Sequence, residues 1–254
     1  MQLGTIHGPT RKTVGRTILH FDAVESTQES AKELLENEVE EGLAVWADRQ
    51  AAGRGRHGRA WASPKGGLYL SVILRPKEVH AQILGLLAGM PLTKALRHFG
   101  LFAILKWPND ALFQERKIAG ILSEGVYRRD RYHVILGTGV NTNIDLDQLP
   151  PDVQPHATSL KREGGLFVAN EDFMEYFLDQ LDDLYSRYRN TPVHLMMKEY
   201  RGACATVGRR VSVETDRGTI IGKAFDVSPS GTLLVLDDHG VRHEVGDGTV
   251  THVP

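Results

Sequence analysis

Gln50-Ala51-Ala52-Gly53-Arg54-Gly55-Arg56-His57-Gly58-Arg59-Ala60-Trp61 holds three glycines and three arginines, a density found nowhere else in the chain. Glycine lets a backbone wrap closely around a ligand, and guanidinium groups donate paired hydrogen bonds to phosphate or carboxylate oxygens, so the segment reads as an anion-binding loop. Gly53, Gly55 and Gly58 also satisfy G-x-G-x-x-G, and here the fold is decided. A dinucleotide fold needs a helix opening at these glycines and an acid about 20 residues later. Instead Pro64, Gly66 and Gly67 follow, and the acid window falls in Leu68 to Arg75. Arg59-Ala60 stands where a P-loop carries Lys-Ser/Thr. A single Arg-Gly-Arg run is a weak nucleic-acid signal in a chain of formal net charge -2. A solvated surface loop is the plain alternative.

Outward from the loop, Leu43 to Ala47 reads as a buried strand and Leu68 to Leu74 as another, ending before Pro76. Upstream, Ser26-Thr27-Gln28-Glu29 fits a capping box, and Ala31, Leu34 and Leu35 continue a helix to about Asn37. Downstream, Ile83 to Phe99 reads as a helix that Pro91 kinks or divides. Strands are expected at Phe102 to Lys106, Lys117 to Glu124 and His133 to Leu136. Phe173, Phe177, Leu181, Leu184 and Tyr188 predict an amphipathic helix of about four turns. After Thr206 come short strand candidates, Val211 to Val213, Thr219 to Val227, Thr232 to Leu236 and Arg242 to Val245, which suggest a small β-barrel. The fold class is therefore α+β, with a mixed sheet and helices over residues 1–200 and a small β-barrel over residues 201–254.

With 254 residues, 41% of them hydrophobic, the chain can bury a sizeable core. Its near-neutral charge argues against wholesale binding to nucleic acid or anionic membrane. Cys204 is the only cysteine, which excludes an intramolecular disulfide and a cysteine-zinc cluster and fits a cytoplasmic location. Met1 to Arg16 has no apolar core of a signal peptide, and the longest apolar stretch, near Ile83 to Leu92, is too short to span a bilayer.

A second cluster lies at Lys106-Trp107-Pro108-Asn109-Asp110 and Lys117-Ile118-Ala119-Gly120-Ile121-Leu122, read as two lysines flanking one hairpin. Alone, such lysines are more often solvated charges, and Asn109-Asp110 more often a turn. Gly137-x-Gly139-x-Asn141 is explained almost as well by a plain turn.

Taken in order, Gly53-Arg54-Gly55-Arg56-x-x-Arg59-x-Trp61-x-Ser63-Pro64, Leu68-Tyr69-x-Ser71, Lys106-Trp107-Pro108-Asn109-Asp110, Arg116-Lys117-Ile118-Ala119-Gly120-Ile121-Leu122 and Gly137-x-Gly139-x-Asn141 resemble biotin protein ligases, from about Phe21 to the C-terminal barrel. The resemblance implies a catalytic domain related to class II aminoacyl-tRNA synthetases and an SH3-like C-terminal domain. It implies ATP-dependent activation of biotin as an acyl-adenylate with Mg2+, followed by transfer to a lysine of a biotin carboxyl carrier domain. On matching positions, Lys117 is the catalytic lysine, acting as a cation on the biotin carboxylate and α-phosphate. Arg54, Arg56 and Arg59 belong to the loop that closes over the adenylate, with Gly53 beside them. Lys106, Asn109 and Asp110 form a second tier, Asp110 organising the metal or the attacking amine. Ser26, Thr27 and Gln50 surround the ureido ring, although Ser26 is equally good as a helix cap. Gly120 and Leu122 line the valeryl chain, Trp61 contacts the nucleotide, and Gly137, Gly139 and Asn141 approach ATP. His57 departs from the pattern, since some relatives carry another arginine there. A winged helix needs about 60 residues, and only a short tail precedes the first elements, so no DNA partner is expected. A lipoate or octanoate ligase or transferase of the same fold, and a non-catalytic biotin sensor, are the rivals; monomer and homodimer are both open.

Overall fold

The computed structural model describes residues 2–8, 10–76, 81–165 and 167–253. Its centre is the strand expected at Leu68–Leu74 (β4), buried at every position. Seven more strands complete a mixed sheet: Gln2–His7 (β1), Thr17–Phe21 (β2), Ala44–Ala47 (β3), Ile104–Lys106 (β5), Asp110–Phe113 (β6), Arg116–Arg128 (β7) and Arg131–Val140 (β8). The order is β1-β2-β3-β4-β8-β7-β6-β5, with only β2 and β3 parallel. Side chains alternate across a strand, so β4 serves both faces. Ile73 joins Ala31, Leu35, Val45 and Ile135 beneath the helix Thr27–Leu34 (α1), while Leu68, Leu70, Val72 and Leu74 join the larger core. That core is covered by helices Ala81–Leu87 (α2), Gly89–His98 (α3), Asn170–Asn190 (α5) and Val193–Ala203 (α6). A short helix, Leu160–Gly164 (α4), follows the strands.

The Ile83 to Phe99 helix is divided at Ala88, as expected from Pro91, which lacks the N–H that would bond Leu87 and whose ring crowds that carbonyl. Other expectations need correction. The helix through Phe173 has 21 residues, not four turns, and buries all five residues that set its period. Ser26 caps α1 by accepting from Gln28 N at 3.3 Å, but Glu29 does not close the box; it pairs with Lys32 and Arg54. Lys106 and Lys117 flank more than one hairpin: β6 runs between them, too short and too near two turns to show a period. Gly137 and Gly139 lie within β8 rather than in a turn.

Strands Arg210–Thr215 (β9), Gly218–Val227 (β10), Leu233–Asp237 (β11), Arg242–Val245 (β12) and Thr249–His252 (β13) form an antiparallel sheet in the order β12-β11-β10-β9-β13. Val211, Val213, Ala224, Leu233, Val235 and Val250 from its inner face belong to the same core as the main sheet. Residue 200, the expected boundary, lies inside α6. One of the joints between the two sheets is the turn after β5. Trp107, fully buried, donates its backbone N–H to Thr206 Oγ1 and its indole N–H to Gly231 O, both at 3.0 Å.

The segment before β2 is held by carboxylates on α5: Arg11 pairs with Glu175 and Asp179, at 2.6 and 3.1 Å, and Asp182 takes the backbone that follows. Asp182 accepts from the backbone N–H groups of Lys12, Thr13 and Val14 at 2.7, 2.9 and 2.8 Å. Asp182→Asn presents an NH2 to donors that need an acceptor, and should lower stability by about 1–3 kcal/mol, read as the urea midpoint with an unchanged m-value.

Candidate active site

A cleft opens on the α1 face of the main sheet, where strands carry glycine in place of side chains. Gly120 of β7 pairs with Gly139 of β8, and the Trp61 ring lies over both. A Cβ at Gly139 would come within 2.6 Å of the indole, and one at Gly120 within 3.1 Å. Gly137, two residues along the same face, leaves room for Gln28, whose Oε1 a Cβ would meet at 2.6 Å.

The inner end of the cleft is neutral and densely hydrogen-bonded. Gln50 Oε1 accepts from Thr27 N at 2.8 Å, and Gln50 Nε2 donates to Ser63 Oγ at 2.8 Å. Thr27 Oγ1 lies 2.8 Å from Ser71 Oγ, Ser71 donates to Gln28 Oε1 at 2.9 Å, and Gln28 Nε2 donates to Ile135 O at 3.1 Å. Thr27 Oγ1 is also 3.1 Å from Gln50 Oε1, so the two hydroxyl protons serve three oxygen contacts. A ligand that supplies donors and an acceptor would complete this set.

The outer end is cationic. Arg54, Arg56, Arg59, Lys106 and Lys117 line it, and Asp110 is the single lining carboxylate among the described residues. Lys117 Nζ sits 2.6 Å from Asp110 Oδ1 and 5.1 Å from the centre of the Trp61 ring, a cation–π distance. Burial pushes the Lys106 ammonium below its ordinary range, against the upward pull of Asp110 and with a further downward push from Lys117. Arg56 is likewise lowered by burial. Asn109 fastens the turn to β7, donating to Ile121 O at 2.6 Å and accepting from Ile121 N at 2.9 Å.

Ser26, Thr27, Gln50, Arg54, Arg56, Arg59, Trp61, Lys106, Asn109, Asp110, Lys117, Gly120, Leu122 and Gly139 thus come together from separate parts of the chain. Two expected residues do not line the cleft. Gly53 lies behind it, where a Cβ would meet Ser63 Oγ and Trp61 O at 2.5 Å. Asn141 is buried and donates to Thr158 O at 2.9 Å, holding the segment before α4. Sequence reading gave no site role to Gln28, which it placed only in the helix start, to Ser71, which it named only within a motif, or to Thr249. Ser71 had a signal, as the one hydroxyl of small size inside Leu-Tyr-Leu-Ser-Val-Ile-Leu; Thr249 belongs to β13, for which no strand was expected.

Residues 20–141 match the model of the "Biotin/lipoate A/B protein ligase family". A "Bifunctional ligase/repressor BirA" of Bacillus spizizenii is 33% identical over 244 residues, spanning 92% of this chain and 74% of that protein. A "Biotin--[acetyl-CoA-carboxylase] ligase" of Mycobacterium tuberculosis is 35% identical over 224 residues, spanning 84% and 80%. Among solved structures, the biotin protein ligase of Aquifex aeolicus in complex with biotin and ATP superposes with a TM-score of 0.81 at 30% identity, over 93% of this chain and 99% of that one.

Because Lys106 is held as a cation where burial disfavours charge, Lys106→Met should raise the melting temperature of the free protein at neutral pH. With the folded-state pKa below the unfolded one, the unfolded chain binds more protons as pH rises, so native stability increases with pH there. The advantage of the variant should therefore shrink from neutral pH toward 10.5, the ordinary lysine value, in melts at several pH values.

Proposed function

The chain belongs to the biotin/lipoate A/B protein ligase family, and we infer from this that it is a biotin protein ligase, joining biotin to an acceptor protein at the expense of ATP. The observation that carries the reading is the polarity of the cleft: neutral and hydrogen-bonding at one end, cationic at the other. Biotin has the same order, a neutral ureido ring with one carbonyl and two N–H groups, an apolar chain, and a carboxylate. Gln50, Thr27 and Ser71 suit the ring, with Ser26 capping the helix that presents Thr27. Gly120 and Leu122 suit the chain. A lipoyl dithiolane has no polar hydrogen to offer these amides and hydroxyls, which favours biotin.

In the first step a biotin carboxylate oxygen attacks the α-phosphorus of ATP, the bond to the bridging oxygen breaks, and pyrophosphate leaves with the electron pair. Both partners are anions, and Lys117 at the junction offsets their repulsion and the charge that builds in the transition state. Arg54, Arg56 and Arg59 take phosphate oxygens, while Asn109, Gly139 and Trp61 frame the nucleotide. Trp61 Nε1, buried and unpaired among the described residues, is an available donor. In the second step the neutral amine of the acceptor lysine attacks the acyl carbon, an amide forms, AMP leaves and the amine proton is released. Asp110 orients that amine, and Lys106 adds positive potential beside the phosphate.

No group of three His, Cys, Asp or Glu side chains capable of holding a metal occurs among the described residues. Asp110 offers one carboxylate, which fits a magnesium ion held chiefly by phosphate oxygens. Such an ion, when bound, would neutralise phosphate charge.

We assign residues 1–200 to a catalytic domain resembling class II aminoacyl-tRNA synthetases and residues 201–254 to an SH3-like barrel. The acceptor is a biotin carboxyl carrier domain, and the location is the cytoplasm, consistent with the unpaired, buried Cys204. No described helix is long and apolar enough to cross a membrane.

ATP–pyrophosphate exchange with magnesium should depend on biotin and not on lipoate or octanoate; exchange with either of those acids instead would reverse the specificity. Lys117→Ala should slow single-turnover adenylate formation roughly a hundredfold or more while biotin affinity changes far less. Trypsin should cut at Arg54 and Arg56 in the free protein and much more slowly with biotin and ATP together, whereas equal cutting would exclude ordering of the loop.

A further inference from the structure

Each arginine of the 50–61 loop already rests on a protein acceptor. Arg54 Nη1 lies 2.9 Å from Glu29 Oε1 of α1, and Arg59 Nη2 donates to Thr249 Oγ1 of β13 at 2.9 Å. Arg56 is ion-paired with Asp247, whose carboxylate also faces His57 Nε2 at 3.4 Å. Asp247 sits in the turn between β12 and β13, so two of the three arginines are tied to the C-terminal sheet.

The Arg56 contact differs in kind from the other two. Burial lowers the pKa of Arg56, so a cation left there without an anion is costly. Its own side chain is 24% exposed, whereas that of Asp247 is 59% exposed. The partly buried member of the pair needs a counter-charge; the exposed member loses little on returning to water. The pair also stands between two cavities, the cleft and a second one behind Pro108, both of which reach Arg56.

On the ligase reading, we propose that Asp247 is a built-in competitor of the nucleotide. It occupies Arg56 in the free protein, holds the loop against the C-terminal sheet, and is displaced when phosphate oxygens of ATP take the guanidinium. Asp247 is a positioning residue: it sets how tightly ATP binds through Arg56 and takes no part in the chemical steps. The exchange of one anion for another keeps the partly buried cation paired throughout, and lowers the apparent affinity for ATP by the strength of the internal pair.

Asp247→Asn tests this with little disturbance, because the side-chain oxygen that accepts the Gly248 N–H at 2.9 Å is retained and only the charge is lost. In biotin-dependent exchange the KM for ATP should fall about two- to fivefold, with kcat changed less than about twofold. Trypsin should cleave the ligand-free loop faster than in the wild type. Glu244→Gln, which removes an exposed carboxylate of β12, should leave KM unaltered. Asp247→Ser should repeat the effect if asparagine disturbs the turn. An ATP KM that is unchanged or raised in both Asp247 variants overturns the proposal. Absence of wild-type exchange would instead count against the ligase reading. In that case protection of the loop from trypsin by inorganic tripolyphosphate still decides: half-protection at lower concentration in Asp247→Asn supports competition, and equal concentrations refute it.

Discussion

An indole can lie over a sheet only where the strands beneath it carry no side chains, and Trp61 over Gly120 and Gly139 is that constraint realised. The two glycines are register partners on adjacent strands, so one gap in the pleated surface accepts the whole ring. Trp61 closes the far end of the glycine- and arginine-rich loop, and Trp61 N donates to Gly53 O at 2.9 Å. Placing the ring therefore places the loop. The same ring lies under the Lys117 ammonium, which ties the orientation of that cation to the face of the sheet.

Around this arrangement the cleft is charged asymmetrically, and the protein tolerates the imbalance by local pairing. Lys117 rests against Asp110, and each arginine of the loop against an acceptor on another element. Lys106 has no ion-pair partner within 4 Å among the described residues, and burial opposes its protonation as it does that of Arg56. Such clusters are unfavourable in a free protein and become favourable when a polyanion arrives, which is how binding energy can be directed at a phosphate rather than at general stability.

Much of this was legible in the chain because local signals and tertiary roles coincide. Leu68–Leu74 is a strand by composition and a central strand by burial, and the 50–61 segment is unusual by any count. Gln50, Lys117 and the loop arginines were found through ordered motifs rather than through periodicity. What escaped is short or edge-located. β1 and β2 have mostly exposed or half-buried residues and so no clean alternation, and β6 and β13 have only four residues each. Asn141 was drawn into the site by a motif, yet its amide serves a neighbouring loop, because a polar residue next to a site needs a partner whether or not it touches the ligand. Gln28 was hidden by its helix, where a long polar side chain ordinarily points to solvent; only the gap at Gly137 lets it turn inward.

The Trp107 brace has a consequence for the timing of synthesis. Its two hydrogen-bond acceptors, Thr206 Oγ1 and Gly231 O, leave the ribosome long after the last strand of the main sheet. A nascent chain can pair all eight of those strands and still lack the groups that fix the turn between Lys106 and Asp110. The site is thus assembled last, after residues near position 231 and then Gly248 to Val250 of the cleft wall emerge, and an incomplete chain cannot present a finished cleft to its small-molecule substrates.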